Sequence, residues 1–183
     1  MKRKSLSVTK KTLNFYLTKL KDPQVRKLYN LFSNNLASMD LTNKKIMVGV
    51  SGGADSLAVL FFSQCYALKH HTKLHPIIID HKLRKESTIE AKNLKYKLKH
   101  NFKINCKILS KKIVKINKNI QSYARDLRYD LFFEECNKQK IDYLILGHHK
   151  DDLIENFFIR FLRGSGLKGL VSFDKNVINY NGI

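Results

Sequence analysis

Two adjacent glycines stand between an apolar run and a second, longer one, in the stretch Ser51-Gly52-Gly53-Ala54-Asp55-Ser56. Ile46, Met47, Val48 and Val50 ahead of it read as a short buried strand. Residues 57–68 behind it are apolar enough for a helix packed on a sheet, with no Pro or Gly to break it. A strand that turns into a helix through two glycines lets its backbone N–H groups approach an anion with no Cβ in the way. The helix N-terminus adds unpaired donors and a partial positive charge. Such a junction is a phosphate cradle by its physics, or else a Gly-Gly turn capped by Asp55 or Ser56. It lacks the Gly-Lys-Ser/Thr ending of a Walker loop, so no loop lysine reaches a terminal phosphate.

A basic lead-in occupies 1–21, and Val25, Leu28, Leu31, Phe32 and Leu36 set a helical spacing over 23–38. From there the spacing predicts strand 46–50, helix 56–69, strand 77–79, helix 87–99, strand 105–109, helix 121–136, strand 143–146 and a last helix from about 152 to 162. Strand–helix alternation of this kind implies an α/β fold with a doubly wound parallel sheet and right-handed crossovers. Ligands of such sheets sit beyond the carboxyl ends of the strands. That rule makes 51–56, Asp80-His81 and Gly147-His148-His149 neighbours at one crevice.

Asp80-His81-Lys82-Leu83-Arg84 follows the second strand. Backbone groups there can read a purine edge while Arg84 faces phosphate; the alternative is a polar turn with Asp80 satisfied locally. In 147–155, Asp151 and Asp152 fall in the first turn of a helix, where the macrodipole alone favours acids. Asp152 and Glu155 are three apart and share a helix face, and a carboxylate pair beside a phosphate cradle suits a magnesium ion bridging phosphate oxygens. His148 at the strand end can polarise or protonate a reacting group near neutral pH, or be an ordinary hydrogen-bonded core histidine. Arg125 and Arg128, one turn apart, can clamp a phosphate or pair with Asp126 or Glu135. Arg163-Gly164-Ser165-Gly166-Leu167-Lys168-Gly169 closes the last helix; a C-cap explains Gly164, while three glycines flanked by cations suit an anion-contacting loop.

The formal charge of +20 over 183 residues attracts polyanions, although a Lys- and Asn-heavy composition also arises from coding bias. Between Lys82 and Lys118 there are 13 Lys or Arg against two acids, Glu86 and Glu90, which is either a solvated helix face or a strip that binds a nucleic-acid backbone. Cys65, Cys106 and Cys136 are isolated, odd in number and never C-x-x-C. They argue against a disulfide framework, a zinc site or a cluster, and fit a reducing, cytoplasmic compartment. No apolar run approaches a membrane span, and Met1-Lys2-Arg3-Lys4 lacks the hydrophobic core of a secretory signal. Residues 1–21 contain no acid, as a transit peptide would, but are poor in arginine.

Together these motifs resemble the PP-loop ATP pyrophosphatase family over about residues 44–172. The hexapeptide 51–56 matches its SGGxDS signature. Asp80-His81-x-Leu83-Arg84, Ala124-Arg125-x-x-Arg128-Tyr129, Gly147-His148-His149-x-Asp151-Asp152-x-x-Glu155 and the Arg163-Gly164-Ser165-Gly166 segment follow in the family's order. The last of these is similar to the lysidine-forming branch rather than to the thiolating one, whose cysteine pairs or clusters are missing. Leu153 and Asn156 stand where that branch more often has glutamine and threonine.

The resemblance implies two regions, a basic lead-in and N-terminal helix over 1–43 and an ATP pyrophosphatase domain over 44–183. Set against that family, the C-terminal tRNA-binding domains are expected to be absent from this sequence, and a sheet truncated at its last strand is one of two expectations, a naturally short chain being the other. The resemblance further implies ATP and Mg2+ as cofactors. The substrates would be L-lysine and an isoleucine tRNA with a CAU anticodon. ATP would adenylate the C2 oxygen of the wobble cytidine, and lysine would then displace AMP to give lysidine. Ser51, Gly52, Gly53, Ala54, Asp55, Ser56, Asp80 and His81 would bind the nucleotide. Asp55 and Asp152 would hold the metal, with Asp55, Arg125, His148, Asp152 and Glu155 catalytic. Arg84, Arg128, Arg163, Gly164, Ser165, Gly166 and Lys168 would face tRNA. Another tRNA-modifying PP-loop enzyme and a non-catalytic RNA-binding remnant are the alternatives. An unfinished sheet edge leaves room for a homodimer.

Overall fold

A computed structural model describes residues 10–84, 86–111 and 120–147. All of them belong to one compact unit, which extends to Gly147. The chain begins with two helices, α1 (Lys10–Lys19) and α2 (Pro23–Ala37). Asp22 caps α2, its carboxylate accepting from the Gln24 and Val25 amides at 2.9 and 3.0 Å, and Pro23 takes the first helical position, where no amide is needed. Strand and helix then alternate as β1 (Lys45–Gly49), α3 (Ala54–His70), β2 (Lys73–Asp80), α4 (Ser87–Asn101), β3 (Lys107–Ser110), α5 (Ile120–Gln139) and β4 (Tyr143–Leu146).

The four strands are parallel in the order β3-β2-β1-β4. β1 therefore lies centrally, and the chain departs from it toward β2 but returns on its other side at β4. That divergence is a topological switch point, and the turn after β1 sits at it. Residues of β1 alternate between two cores. Ile46 and Val48, with Val50 just beyond, join Leu60, Ile78, Ala91 and Leu98 on the side of α3 and α4, while Met47 joins Ile77, Phe132 and Cys136 on the side of α5. Helices on both faces explain why the strands read as nearly continuous apolar runs. Gly49 is required for this second core, since a Cβ there would stand 2.5 Å from Leu146 Cδ2 and 2.7 Å from Phe132 Cζ.

Three differences from the sequence reading have physical causes. The basic lead-in contains α1, whose Tyr16 is 1 % exposed, packs on Phe61 and donates its hydroxyl to the Phe102 carbonyl. β2 starts at Lys73, well before the Ile77–Ile79 apolar core. Pro76 is tolerated inside it because Lys73 N donates to Lys44 O on the β1 side, so the alternate position 76 turns its nitrogen toward β3, whose pairing begins only at Ile77. β3 begins at Lys107, two residues later than expected. The helix expected at 152–162 lies outside the described residues. Among the described residues no helix is long and apolar enough to cross a membrane.

Candidate functional site

The turn after β1 is organised around one hydroxyl. Ser56, 3 % exposed in the first turn of α3, donates to Gly53 O at 2.9 Å and lies within hydrogen-bond reach of three donors. These are the Ser51 amide at 3.3 Å, the Gly52 amide at 3.2 Å and the Ser51 hydroxyl at 3.1 Å. Successive backbone N–H groups that converge on one oxygen make a concavity suited to an anion. Gly52 adopts φ +92°, which side chains rarely allow, and Leu94 of α4 packs beneath it, 3.2 Å from where a Cβ would be. Gly53, in an ordinary extended conformation, opens outward, and a Cβ there would meet only Ser51 Oγ, at 3.7 Å. Gly53 N-caps α3 without a side chain, so the helix presents its first amides to the crevice. Asp55 is exposed on that first turn and has no partner among the described residues.

The carboxyl end of β4 closes on the same turn. A Cβ on Gly147 would lie 2.8 Å from both Ser56 Cα and Ser56 N and 2.9 Å from the Asp55 carbonyl carbon. Only a glycine lets β4 come this near the N-terminus of α3. The sequence motifs gave Gly147 no role of its own, although its place at a strand end just before His148 was a signal.

At the end of β2, Asp80 is 3 % exposed and both its oxygens are occupied. Oδ1 accepts from the Lys82 amide at 3.0 Å and Oδ2 from the Thr88 hydroxyl at 2.7 Å, so Asp80 ties the β2–α4 turn to α4. Thr88 is a second contributor that the motifs did not single out, and nothing in the sequence marked it. His81 keeps a buried Nδ1 without a hydrogen-bond partner among the described residues. Burial pulls its pKa below the ordinary histidine value, the Arg128 guanidinium pulls it further and Asp80 pushes back. The imidazole is therefore neutral at physiological pH. Arg128 has its own pKa drawn down by burial, with Arg125 adding to the effect. Arg125 lies over the Tyr129 ring, 5.9 Å from its centroid. Arg128 thus sits within electrostatic reach of both His81 and Arg125. Arg84 instead pairs with Glu90 at 3.2 Å on the exposed surface.

Of the expected site residues, the structure brings Ser51, Gly52, Gly53, Ala54, Asp55 and Ser56 into one turn and places Asp80 and His81 at the same edge of the sheet. His148, Asp152, Glu155, Arg163, Gly164, Ser165, Gly166 and Lys168 lie outside the described residues. Among the described residues no three of His, Cys, Asp or Glu gather as a metal site. The three cysteines are buried, and burial pushes their thiols up to about 12 for Cys65 and Cys106 and about 11 for Cys136.

Comparison with known proteins agrees with this geometry. The chain is 42 % identical over 137 residues to a tRNA(Ile)-lysidine synthase of Orientia tsutsugamushi, covering 75 % of this chain and 31 % of that protein. Proteins of the same name from Wolbachia pipientis and Rickettsia rickettsii are 38 % and 36 % identical, over 81 % and 85 % of this chain and 35 % and 32 % of theirs. The chain thus spans about a third of the length of these relatives. Among solved structures, a U34-tRNA thiolase of Methanococcus maripaludis superposes with a TM-score of 0.64 over 79 % of this chain and 51 % of that one, at 22 % identity, a likeness of fold. The profile of the PP-loop domain matches residues 20–183, and with the glycine turn at the switch point of a parallel sheet it makes this chain a member of the PP-loop domain family.

Proposed function

We propose that this chain catalyses, or forms the catalytic part of an enzyme that catalyses, ATP-dependent ligation of lysine to C2 of the wobble cytidine in an isoleucine tRNA with a CAU anticodon. The observation that carries the reading is 36–42 % identity to three lysidine synthases across most of the chain. Adenylation of the cytidine O2 breaks the bond between the α- and β-phosphates, so pyrophosphate must be held as a leaving unit. The Ser51 and Gly52 amides, the Ser56 hydroxyl and the N-terminus of α3 are suited to that work. His81, neutral and with one nitrogen unpartnered among the described residues, is suited to the edge of the adenine or cytosine ring, and Arg125 to the phosphates. The lysine amine then attacks C2 and AMP departs.

Magnesium bound to a triphosphate takes most of its ligands from phosphate and water and only one or two from carboxylates. Asp55, exposed beside the cradle and unpaired among the described residues, fits as one such ligand, and Asp152 is proposed as the second. When bound, the ion neutralises charge on the departing pyrophosphate. His148, Asp152 and Glu155 are proposed to manage the protons of the base and the lysine amine. Arg84, Arg128, Arg163, Gly164, Ser165, Gly166 and Lys168 are proposed to face tRNA. The cytoplasm is the proposed site of action, and a second copy docking on an open sheet edge would make a homodimer, which the solution mass tests.

The three thiols count against sulfur transfer. Each is buried and held well above the range in which a thiolate forms. Incubation with ATP, labelled lysine and a tRNA(Ile) transcript bearing CAU tests the proposal, with label expected in the tRNA and lost on Asp55→Ala or Asp152→Ala. ATP-dependent thiolation, or binding of tRNA without any lysine incorporation, would overturn it.

A further inference from the structure

α4 has two faces with different work. Its inner face carries Ala91, Leu94 and Leu98; Leu98 is 1 % exposed, and Leu94 supports Gly52 at the floor of the phosphate turn. Its N-terminal turn is tied to the end of β2 by the Thr88–Asp80 bond. The helix therefore leads away from the nucleotide site with one side fixed to it. The outer side carries Lys92, Tyr96 and Lys99 at helical spacing, with Lys97 beside them and Lys103 just past the helix end, all exposed.

Two observations separate this stripe from an ordinary solvated face. After Glu90 the next acid in the chain is Asp126, and Lys92, Lys95, Lys97 and Lys99 make no ion pair among the described residues. On α5, by contrast, Glu135 and Glu134 are taken by Lys107 and Lys111 at 2.7 and 2.9 Å. Secondly, Tyr96 is 63 % exposed in the middle of the stripe and its ring is braced by His100, centroid to centroid 4.0 Å. A large exposed aromatic held by a neighbour has little side-chain freedom left to lose on stacking with a base, and unpaired lysines on either side suit phosphates.

We infer that the outer face of α4 is an RNA-docking surface, with Lys92 and Lys99 on backbone phosphates and Tyr96 against an unpaired base, delivering the substrate RNA toward the turn that Leu94 supports. This rests on the proposed action on tRNA and adds the surface that receives it. Lys92 and Lys99 are seven residues apart, about 10 Å along the helix axis, so they would address separate phosphates.

The test uses the 183-residue chain and a tRNA(Ile) transcript, titrated by filter binding across KCl concentrations. Each lost phosphate contact lowers the slope of log K against log[salt] by roughly 0.7–0.9. Lys92→Ala with Lys99→Ala is expected to weaken binding about tenfold at 0.1 M salt and to reduce the slope by about 1.5. Tyr96→Ala is expected to weaken it about fivefold with the slope unchanged. ATP binding should be unaltered in both. Lys19→Ala with Lys27→Ala, which removes the same charge from α1 and α2, should change affinity less than about twofold. Acetylation of Lys92 and Lys99 in the wild-type chain should be suppressed by tRNA, a readout independent of any variant's folding. Equal losses in the α4 and control pairs, or no protection of Lys92 and Lys99, would overturn the inference while leaving the proposed function standing. Wild-type chain that binds acidic vesicles or protein but not tRNA would remove both.

Discussion

Gly147 offers the sharpest perturbation of the site that leaves its chemistry in place. In Gly147→Ala the new methyl would stand 2.8 Å from Ser56 Cα and N and 2.9 Å from the Asp55 carbonyl carbon. Comfortable carbon contacts begin near 3.5 Å, so the end of β4 and the first turn of α3 must separate by roughly 0.7 Å. The obstructing atoms are backbone, and no rotamer change relieves them. Overpacking of this kind costs about 1–3 kcal/mol. For a chain of this length that is a Tm lower by roughly 2–12 °C. The displaced element carries Ser56 and Asp55, and a shift approaching 1 Å at such groups costs about 10²-fold in rate. Thermal melting and tRNA-dependent pyrophosphate release from ATP measure the two effects. Gly53→Ala is the control, since its methyl meets only Ser51 Oγ at 3.7 Å; it loses only the N-cap preference of glycine over alanine, about 1 kcal/mol or less, and should melt within about 4 °C of wild type. A Gly147→Ala chain with unchanged Tm and turnover within twofold would refute the claim that this close approach positions the cradle.

Ser56→Ala removes the oxygen on which the Ser51 and Gly52 amides converge and should cost about 1–2 kcal/mol together with most ATP affinity, read by denaturant titration and calorimetric binding. The three thiols should resist an aromatic disulfide reagent at pH 8, with about a tenth or less reacting before guanidinium exposes all of them, because thiolate formation is suppressed by burial. His75 and His81 both have pKa values pulled below the ordinary 6.5, first by burial and then by Lys45 and Arg128 respectively. Their unfolded forms take up protons first as pH falls, so the stability they contribute is whole above pH 6.5 and is lost below it as the folded pKa values are passed. Melting between about pH 7.5 and 5 should show a falling Tm, and His75→Gln should flatten that fall.

Much of the architecture was legible because a sheet covered on both faces needs continuous apolar strands, and β1 and β4 supply them without interruption. β4 falls at 143–146 as read, and β1 is displaced by a single residue. α1 escaped the reading because its lysines hide a short apolar set, Phe15 and Tyr16 with Leu20 just past the helix end, which shows only against the core that α3 helps to form. β2 was read too short since Lys73, His75 and Pro76 suggest a turn, and only register explains why a proline is harmless there. At the site, the glycine turn announced itself through residue type. At Asp80 the sequence left a nucleotide contact and a locally satisfied polar turn both open; its two oxygens accept from Lys82 and Thr88 and so close the turn, a matter of side-chain geometry that spacing cannot encode.

The burial of Tyr16 bears on where such a chain can be cut. Family similarity begins at residue 20, yet the ring of Tyr16 fills a space against Phe61 and its hydroxyl reaches the turn after α4. An expression boundary drawn at the start of the recognised domain would slice away this plug and bare the back of α3 to solvent. The segment ahead of the matched domain is, mechanically, an outer wall of the interior, and trimming it should yield aggregates rather than a smaller folded domain.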